Sequence, residues 1–407
     1  MLPFSAARLL PGRRLRLFDD ADFWRLWHVG LIVFIVRWLE TVAIGVFAYQ
    51  RTGSAFIVAM LTMLRLLPMG LFGAFLGAAA EQVERRTALF LVVLLMGATS
   101  AACAWLAYAG ALEVWHLAVA SFLNGLGWAT DNPVRRVMLG EVVGAERMST
   151  AMSIDVGANN ASRMVGPTLG GLLLASGGIE SVFALSVLLY TSALWSAYAV
   201  RYRNGVLAAG SGAVFARIAE GLRLVRRDRR LIGTLLVTVI YNVFGWPFTS
   251  MVPVIGQDQL HLGPEGIGIL ASMDGVGAFC GAILMALFLR PRFYAASYVG
   301  GVAVYFVMLT AFALIPDPAV AGAALLFTGL GGAGFSIMQA TLVYLAAPPE
   351  MRSRMLGVLS VCIGIGPIGF IHLGWLADLI GAQWATAASG IEGLLVLALT
   401  RRWWRGI

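Results

Sequence analysis

The chain has 407 residues, of which 59% are hydrophobic and 12% are charged, and its formal net charge is +8. Soluble domains carry about 25% charged residues, so this composition argues strongly against a soluble protein. All 29 basic residues are arginines, and they lie between apolar runs. That placement is typical of topology determinants in a membrane protein, so no nucleic-acid partner is expected.

Twelve apolar segments are each long enough to cross a bilayer, which takes about 20 residues of helix. In chain order, spans one to twelve are residues 24–49, 54–79, 87–109, 114–138, 149–175, 180–200, 231–256, 263–289, 296–315, 318–346, 354–378 and 383–403. The connections are short except for residues 201–230. Their basic, partly amphipathic run predicts a linker helix along the cytoplasmic membrane surface. The sequence therefore predicts an all-α integral membrane protein.

Arginine placement predicts the orientation of these spans. With twelve spans, every arginine except Arg37, Arg51, Arg65 and Arg163 falls on the side of the membrane that holds both termini. An excess of basic residues marks the cytoplasmic side. We therefore expect a multi-pass protein of the cytoplasmic (inner) membrane with both termini inside. No cleavable signal peptide is expected, because acidic residues interrupt the basic N-terminal stretch.

Short sequences recur in the two halves of the chain. Gly125–Gly127 in span four matches Gly329–Gly331 in span ten, and Gly166-Pro167 in span five matches Gly366-Pro367 in span eleven. Internal repeats of this kind are common in transporters, whose substrate sites lie between the repeats. The predicted domains are an N-terminal six-helix half (1–200), a cytoplasmic linker (201–230) and a C-terminal six-helix half (231–407).

Span five contains the run Arg163-Met-Val-Gly-Pro-Thr-Leu-Gly-Gly, ending at Gly171. Together with Thr52-Gly53-Ser54 and Leu67-Pro68, this run resembles the major facilitator superfamily, and the resemblance covers the whole chain. The branch it most resembles is the twelve-span exporters that include macrolide efflux proteins and the enterobactin exporter. The resemblance implies a major facilitator fold with alternating access. It also implies a cavity lined by all spans except three, six, nine and twelve.

The loop after span two is where the chain departs from the superfamily pattern, Gly-x-x-x-Asp-Arg-x-Gly-Arg-Arg. Here Gly77 is followed by Glu81, Gln82 and Glu84 and then by two arginines, so Glu81 keeps the negative charge of the aspartate. We expect a cytoplasmic gate made of charged residues and of the two Gly-Pro helices: Glu81, Arg85, Asp131, Arg135, Asp155, Gly166, Pro167, Gly170, Gly366 and Pro367. The alternative for the charged residues is that they are helix-end groups at the headgroup level.

Ionisable residues inside the spans are the candidates for ion coupling, because such groups usually face a cavity and pair. Arg37 and Glu40 lie three residues apart on one face of span one, and Asp274 lies near the middle of span eight. Burial raises the pKa of a carboxyl group and a neighbouring arginine lowers it. Glu40 or Asp274 is thus a candidate proton carrier that Arg37 would modulate. The alternative is a permanent Arg37–Glu40 ion pair that only neutralises two buried charges.

Polar and aromatic residues on cavity-lining spans are the candidates for substrate contact. They are Arg65, Arg163, Asn159, Gln339, Trp38 and Trp246. Such a mixture suits an amphipathic organic molecule, although any single aromatic residue can simply pack in the bundle. Arg163 has a second interpretation, as a partner for Asp155 eight residues earlier on the same helix.

The chain has no nucleotide-binding motif, and its cysteines and histidines are scattered, so no cofactor, metal site or enzymatic activity is predicted. The predicted function is proton-coupled export of a small amphipathic compound, drug-like or a siderophore. The expected partners are that substrate, protons and membrane lipids, and the expected state is a monomer. The alternatives are a lipid flippase or importer of the same fold, or a transporter-like sensor or assembly partner that moves nothing.

Overall fold

A computed structural model describes residues 20–81, 84–144, 146–202, 225, 228–348 and 351–407. All regular secondary structure in these ranges is helical. Spans one to six are Ala21–Thr52, Ala55–Glu81, Arg85–Tyr108, Val114–Val143 and the continuous stretch Met148–Ala199, which holds spans five and six. Span seven comprises Arg229–Ile240, Tyr241–Gly245, Trp246–Ser250 and Val252–Asp258. Spans eight to twelve are Pro264–Phe288, Tyr294–Leu314, Pro318–Ala346, Arg352–Ile363 with Gly366–Ile380, and Ala382–Leu399.

The twelve predicted spans are all present in the part of the chain that the structure describes. Ten helical stretches there are long and apolar enough to cross a membrane. One of them, Met148–Ala199, counts as two spans because Gly177 and Gly178 leave the helical conformation, Gly178 with a φ of 71°. Span four is a more polar helix of 30 residues, about 45 Å long and sufficient to cross the bilayer. The predicted fold class, twelve helices in two six-helix halves, is confirmed.

Two spans are less regular than the sequence suggested. Span seven changes from α-helix through a π turn to a 3-10 turn at Trp246–Ser250 before it resumes as α-helix. Span eleven is interrupted at Gly364-Ile365, whereas span five remains helical through Pro167. The two Gly-Pro helices therefore differ in shape. Proline removes one hydrogen-bond donor from each helix, but span eleven has an additional glycine, Gly364, shortly before Gly366-Pro367, so its backbone is freer there.

Glycines in span five permit close packing on two sides. A Cβ atom added at Gly170 would overlap the carbonyl oxygen of Leu39 in span one and lie 3.1 Å from its carbonyl carbon. On the other side, a Cβ at Gly171 would lie 2.9 Å from the Cα of Gly268 in span eight. Only glycine allows backbones to approach this closely. Span five thus joins its own half to the opposite half.

Span eleven repeats this arrangement in the second half. A Cβ at Gly369 would overlap the carbonyl oxygen of Val243 in span seven. One at Gly374 would lie 2.8 Å from the Cβ of Ala59 in span two. The halves therefore meet along two glycine-rich seams, five against eight and eleven against two. The predicted domain boundaries stay a prediction, and most of the predicted linker helix, residues 203–224, lies outside the described residues.

Candidate functional site

Glu40 lies in a closed polar pocket within the N-terminal half. Its side chain is fully buried. One carboxylate oxygen accepts a hydrogen bond of 2.7 Å from Ser100 Oγ. The other accepts bonds of 3.3 Å from the Arg65 guanidinium and from Asn124 Nδ2. Glu40 thus pairs with Arg65 rather than with Arg37. The reason is that its side chain turns toward spans two, three and four, whereas the Arg37 guanidinium lies over the rings of Trp38 and Trp128.

A second ion pair at mid-depth crosses between the halves. Arg163 of span five contacts Asp274 of span eight through Nη2 and Oδ2. Ser272, half a turn earlier, hydrogen-bonds to Thr168 at 2.8 Å and extends the contact. Arg163 Nε and Asp274 Oδ1 are buried and have no hydrogen-bond partner. Asp155, the other partner proposed for Arg163, is two turns away and is bound by other arginines.

Arg37 is the third cation at this depth and contacts aromatic rings instead of a carboxylate. Its guanidinium lies 3.8 Å from the ring centre of Trp128 and 5.5 Å from that of Trp38. Arg163 lies 5.3 Å from the same Trp38 ring. Among the described residues, Arg37 makes no ion pair. Trp38 therefore connects the two arginines into one continuous surface.

The other predicted cavity residues are more scattered. Asn159 is partly exposed on span five. Gln339 on span ten has a buried Oε1 without a hydrogen-bond partner. Trp246 is partly buried in the 3-10 turn of span seven and packs against the main apolar core. Close to the Arg163–Asp274 pair lies an aromatic group on spans seven, nine and ten, in which Tyr241 stacks on Phe335 with ring centres 3.7 Å apart.

The predicted gate residues form a charged network inside the N-terminal half. Arg135 is fully buried and binds Asp131 at 3.3 Å and Asp155 at 2.5 Å. Arg136 also binds Asp155, at 3.1 Å. Gly30 of span one leaves room for Arg135, because an added Cβ there would overlap the guanidinium. The charges of the two arginines and the two aspartates cancel. The network therefore connects spans four and five and has no net charge.

Two further gate candidates, Arg85 and Glu81, are terminal residues of helices at the same end of the bundle. This end, which holds Asp20 and Asp228, is called the proximal end below. Arg85, the first residue of span three, forms an ion pair with Glu141 near the end of span four. Glu81 lies outside the part of the chain whose side chains the structure describes. Gly366 is buried and Pro367 partly buried at the break in span eleven.

The opposite, distal end carries contacts between the halves that the sequence did not suggest. Asp378 of span eleven accepts hydrogen bonds from Ser54 Oγ, at 2.9 Å, and from the Phe56 backbone N–H, at 3.0 Å, and so caps span two. The Tyr49 hydroxyl donates a hydrogen bond to Asp258 of span seven. The sequence signal that could have indicated these contacts is the presence of acidic residues at the distal ends of helices, where few other charges occur. The contacts of Asp258 and Asp378 therefore link the two halves at the distal end.

No metal-binding group of three or more His, Cys, Asp or Glu side chains occurs in the described ranges. The polar groups described above can bind, orient and exchange charge partners. This is chemistry suited to recognition and to conformational change.

Comparisons with known proteins agree with this geometry. A family model described as transmembrane secretion effector matches residues 16–404. Macrolide efflux protein A of Streptococcus pyogenes is 23% identical over 366 residues, which cover 89% of this chain and 90% of that protein. The staphyloferrin A transporter of Staphylococcus aureus is 18% identical over 282 residues, which cover 67% and 70%. A bacterial homologue of the human lysosomal transporter Spinster, solved inward-facing and unoccupied, shares the fold with a TM-score of 0.75, 16% identity and coverage of 94% and 96%.

Proposed function

The chain belongs to the transmembrane secretion effector family of the major facilitator superfamily, and from that premise we propose that it exports small amphipathic organic compounds in exchange for protons. Members of this superfamily are multi-pass secondary transporters and not enzymes. Export is supported by the likeness to a macrolide efflux protein, and a siderophore-like substrate by the likeness to a staphyloferrin A transporter. The substrate crosses the cytoplasmic membrane between the two halves.

The observation that carries the coupling proposal is the Arg163–Asp274 ion pair. It joins spans five and eight, which belong to opposite halves, where their backbones are close together: a Cβ added at Gly275 would overlap the carbonyl oxygen of Arg163. Alternating access requires these spans to separate on one side and close on the other. Protonation of Asp274 removes its charge, so Arg163 loses its ionic partner and the contact weakens. A proton taken up from one side would thus favour the opposite state.

Glu40 is less suited to this role, although the sequence made it a candidate alongside Asp274. Its three hydrogen-bond donors, on spans two, three and four, all belong to its own half. Its protonation would therefore leave the contact between the halves unchanged. We assign coupling to Asp274 and a structural role to the Glu40–Arg65 pair.

The orientation belongs to the same proposal. Arginine placement favours a cytoplasmic proximal end, and the contacts of Asp378 and Asp258 join the two halves at the distal end. In the proposed cycle, the state with these distal contacts is the one that receives an intracellular compound.

Proteoliposomes containing the purified protein test the coupling. The probes are erythromycin, a macrolide, and naphthoate, an aromatic carboxylate, and a pH-sensitive dye records proton movement. We expect Asp274→Asn to lose probe-driven proton movement but to keep downhill exchange of the probe, because asparagine cannot take up a proton. The matched control is Glu265→Gln, an exposed residue in the first turn of the same helix, which should behave as the wild type. Normal proton movement in Asp274→Asn would contradict the assignment and return it to Glu40.

A further inference from the structure

We propose that Arg37, which lies between Trp38 and Trp128 at mid-depth, binds the carboxylate of an organic monoanion. This inference deepens the proposed function. It rests on that function only for calling the bound molecule a substrate.

The first support is the charge balance at mid-depth. The central group contains three arginines, Arg37, Arg65 and Arg163, but only two carboxylates. Glu40 neutralises Arg65 and Asp274 neutralises Arg163, so the positive charge of Arg37 remains uncompensated. Charges inside a membrane are costly unless they are paired or face a cavity. Arg37 is partly exposed, so it is available to a ligand that carries the missing negative charge.

The second support is a set of hydrogen-bond donors without acceptors. The indole Nε1 atoms of Trp38 and Trp128 and the Nε of Arg163 are buried and have no partner. Nearly all buried polar atoms in proteins are hydrogen-bonded, and these three atoms can only donate. The rings of Trp38 and Trp128 both contact the Arg37 guanidinium, and Arg163 contacts the Trp38 ring. A ligand that satisfies them must bring acceptor oxygens, as a carboxylate does.

The single uncompensated positive charge of the three arginines and two carboxylates indicates which ligand charge fits the site. One bound negative charge makes the central group neutral while Asp274 remains ionised. A dianion would leave an excess negative charge, and a cation would add to the positive one. The rings of Trp38 and Trp128 offer flat apolar faces beside Arg37, so the carboxylate should be attached to an aromatic or otherwise apolar body.

Binding of three matched probes to the purified full-length protein tests this inference without any transport step. Naphthoate, naphthamide and naphthylmethylammonium share one apolar body and differ in charge. Quenching of tryptophan fluorescence reports their binding. We expect naphthoate to bind about ten- to a hundredfold more tightly than naphthamide, as a charge-assisted hydrogen bond would require. Naphthylmethylammonium should bind most weakly.

Variants of Arg37 test whether its guanidinium causes the preference for the anionic probe. Arg37→Gln should lower naphthoate affinity to that of naphthamide and leave naphthamide affinity unchanged, which also shows that the cavity is intact. Arg37→Lys retains the charge and should keep part of the preference. Arg51→Gln is the matched control, because Arg51 is an exposed residue at the distal end whose guanidinium lies over the Phe47 ring. It should bind all three probes as the wild type does.

Several outcomes would overturn the inference. They are absent naphthoate binding, equal affinity for naphthoate and naphthamide, and an unchanged preference in Arg37→Gln. Coupled transport of erythromycin without any preference for naphthoate would preserve the proposed export function and remove only this inference. Charge-selective binding at Arg37 without transport of either probe would preserve this inference and contradict the proposed export function.

Discussion

Replacing Gly170 by alanine perturbs the closest approach between spans one and five. The added methyl group would meet the carbonyl group and Cα of Leu39, the last at 3.2 Å. Because these are backbone atoms, they cannot rotate away, and the two helices have to move apart. Overpacking of this kind costs about 1–3 kcal/mol. The higher helix propensity of alanine offsets about 0.5–1 kcal/mol of that.

A matched substitution in the same helix isolates the overpacking term. Gly157 has open space where its Cβ would be, so Gly157→Ala gains the same helix propensity without a collision. The unfolding free energies of the two variants should therefore differ by about 1–3 kcal/mol, with Gly170→Ala the less stable. Titration of purified protein in mild micelles with a denaturing detergent, followed by circular dichroism, measures both values. Equal stabilities would show that spans one and five are not in contact at Gly170 and would refute the packing argument.

Three further predictions concern the buried pair, the distal closure and the topology. Glu40→Leu should cost about 3–5 kcal/mol in the same titration, because Arg65 is left buried and unpaired, and the double variant with Arg65→Leu should recover most of the loss. Asp378→Ala removes a helix cap worth about 0.5–2 kcal/mol and should loosen the distal end. A cysteine introduced as Thr62→Cys, in a background without the native cysteines, should then be labelled faster from the distal side. An unchanged labelling rate would show that the cap does not hold this end closed. A C-terminal fusion should be active with a reporter that works only in the cytoplasm. A cysteine near Asp317 should react with an impermeant reagent added outside the cell. Labelling of that cysteine only after lysis would contradict the predicted orientation.

The number and extent of the helices were accessible from the sequence because membrane crossing imposes a length and an apolar composition on each helix. Span ten, for instance, was placed at 318–346 and occurs as Pro318–Ala346. The same constraint says little about irregular backbone. The π and 3-10 turns of span seven depend on how its neighbours replace lost hydrogen bonds. No local pattern in the sequence records those replacements.

Pairings between charges were harder to predict than the charges themselves. The spacing of Arg37 and Glu40 suggested a pair, because residues three apart share a face of an isolated helix. In the bundle, Glu40 turns toward Arg65 and Arg37 toward Trp128. Arg163 and Asp274 are 111 residues apart in sequence, and their contact follows from how the halves dock. The rotation of each helix about its own axis decides these partners, and spacing within one helix does not specify it.

The glycine seams between the halves affect how this protein should respond to its membrane. Gly171 against Gly268 and Gly374 against Ala59 bring backbones together with almost no side-chain volume between them. Local side-chain rotation therefore cannot open a passage there, and the halves must tilt as rigid bodies. Tilting changes the hydrophobic thickness that the bundle presents to lipid, at a cost of fractions of a kcal/mol per Å of mismatch. Acyl-chain length should thus tune the turnover rate even when substrate and ion gradients are held constant.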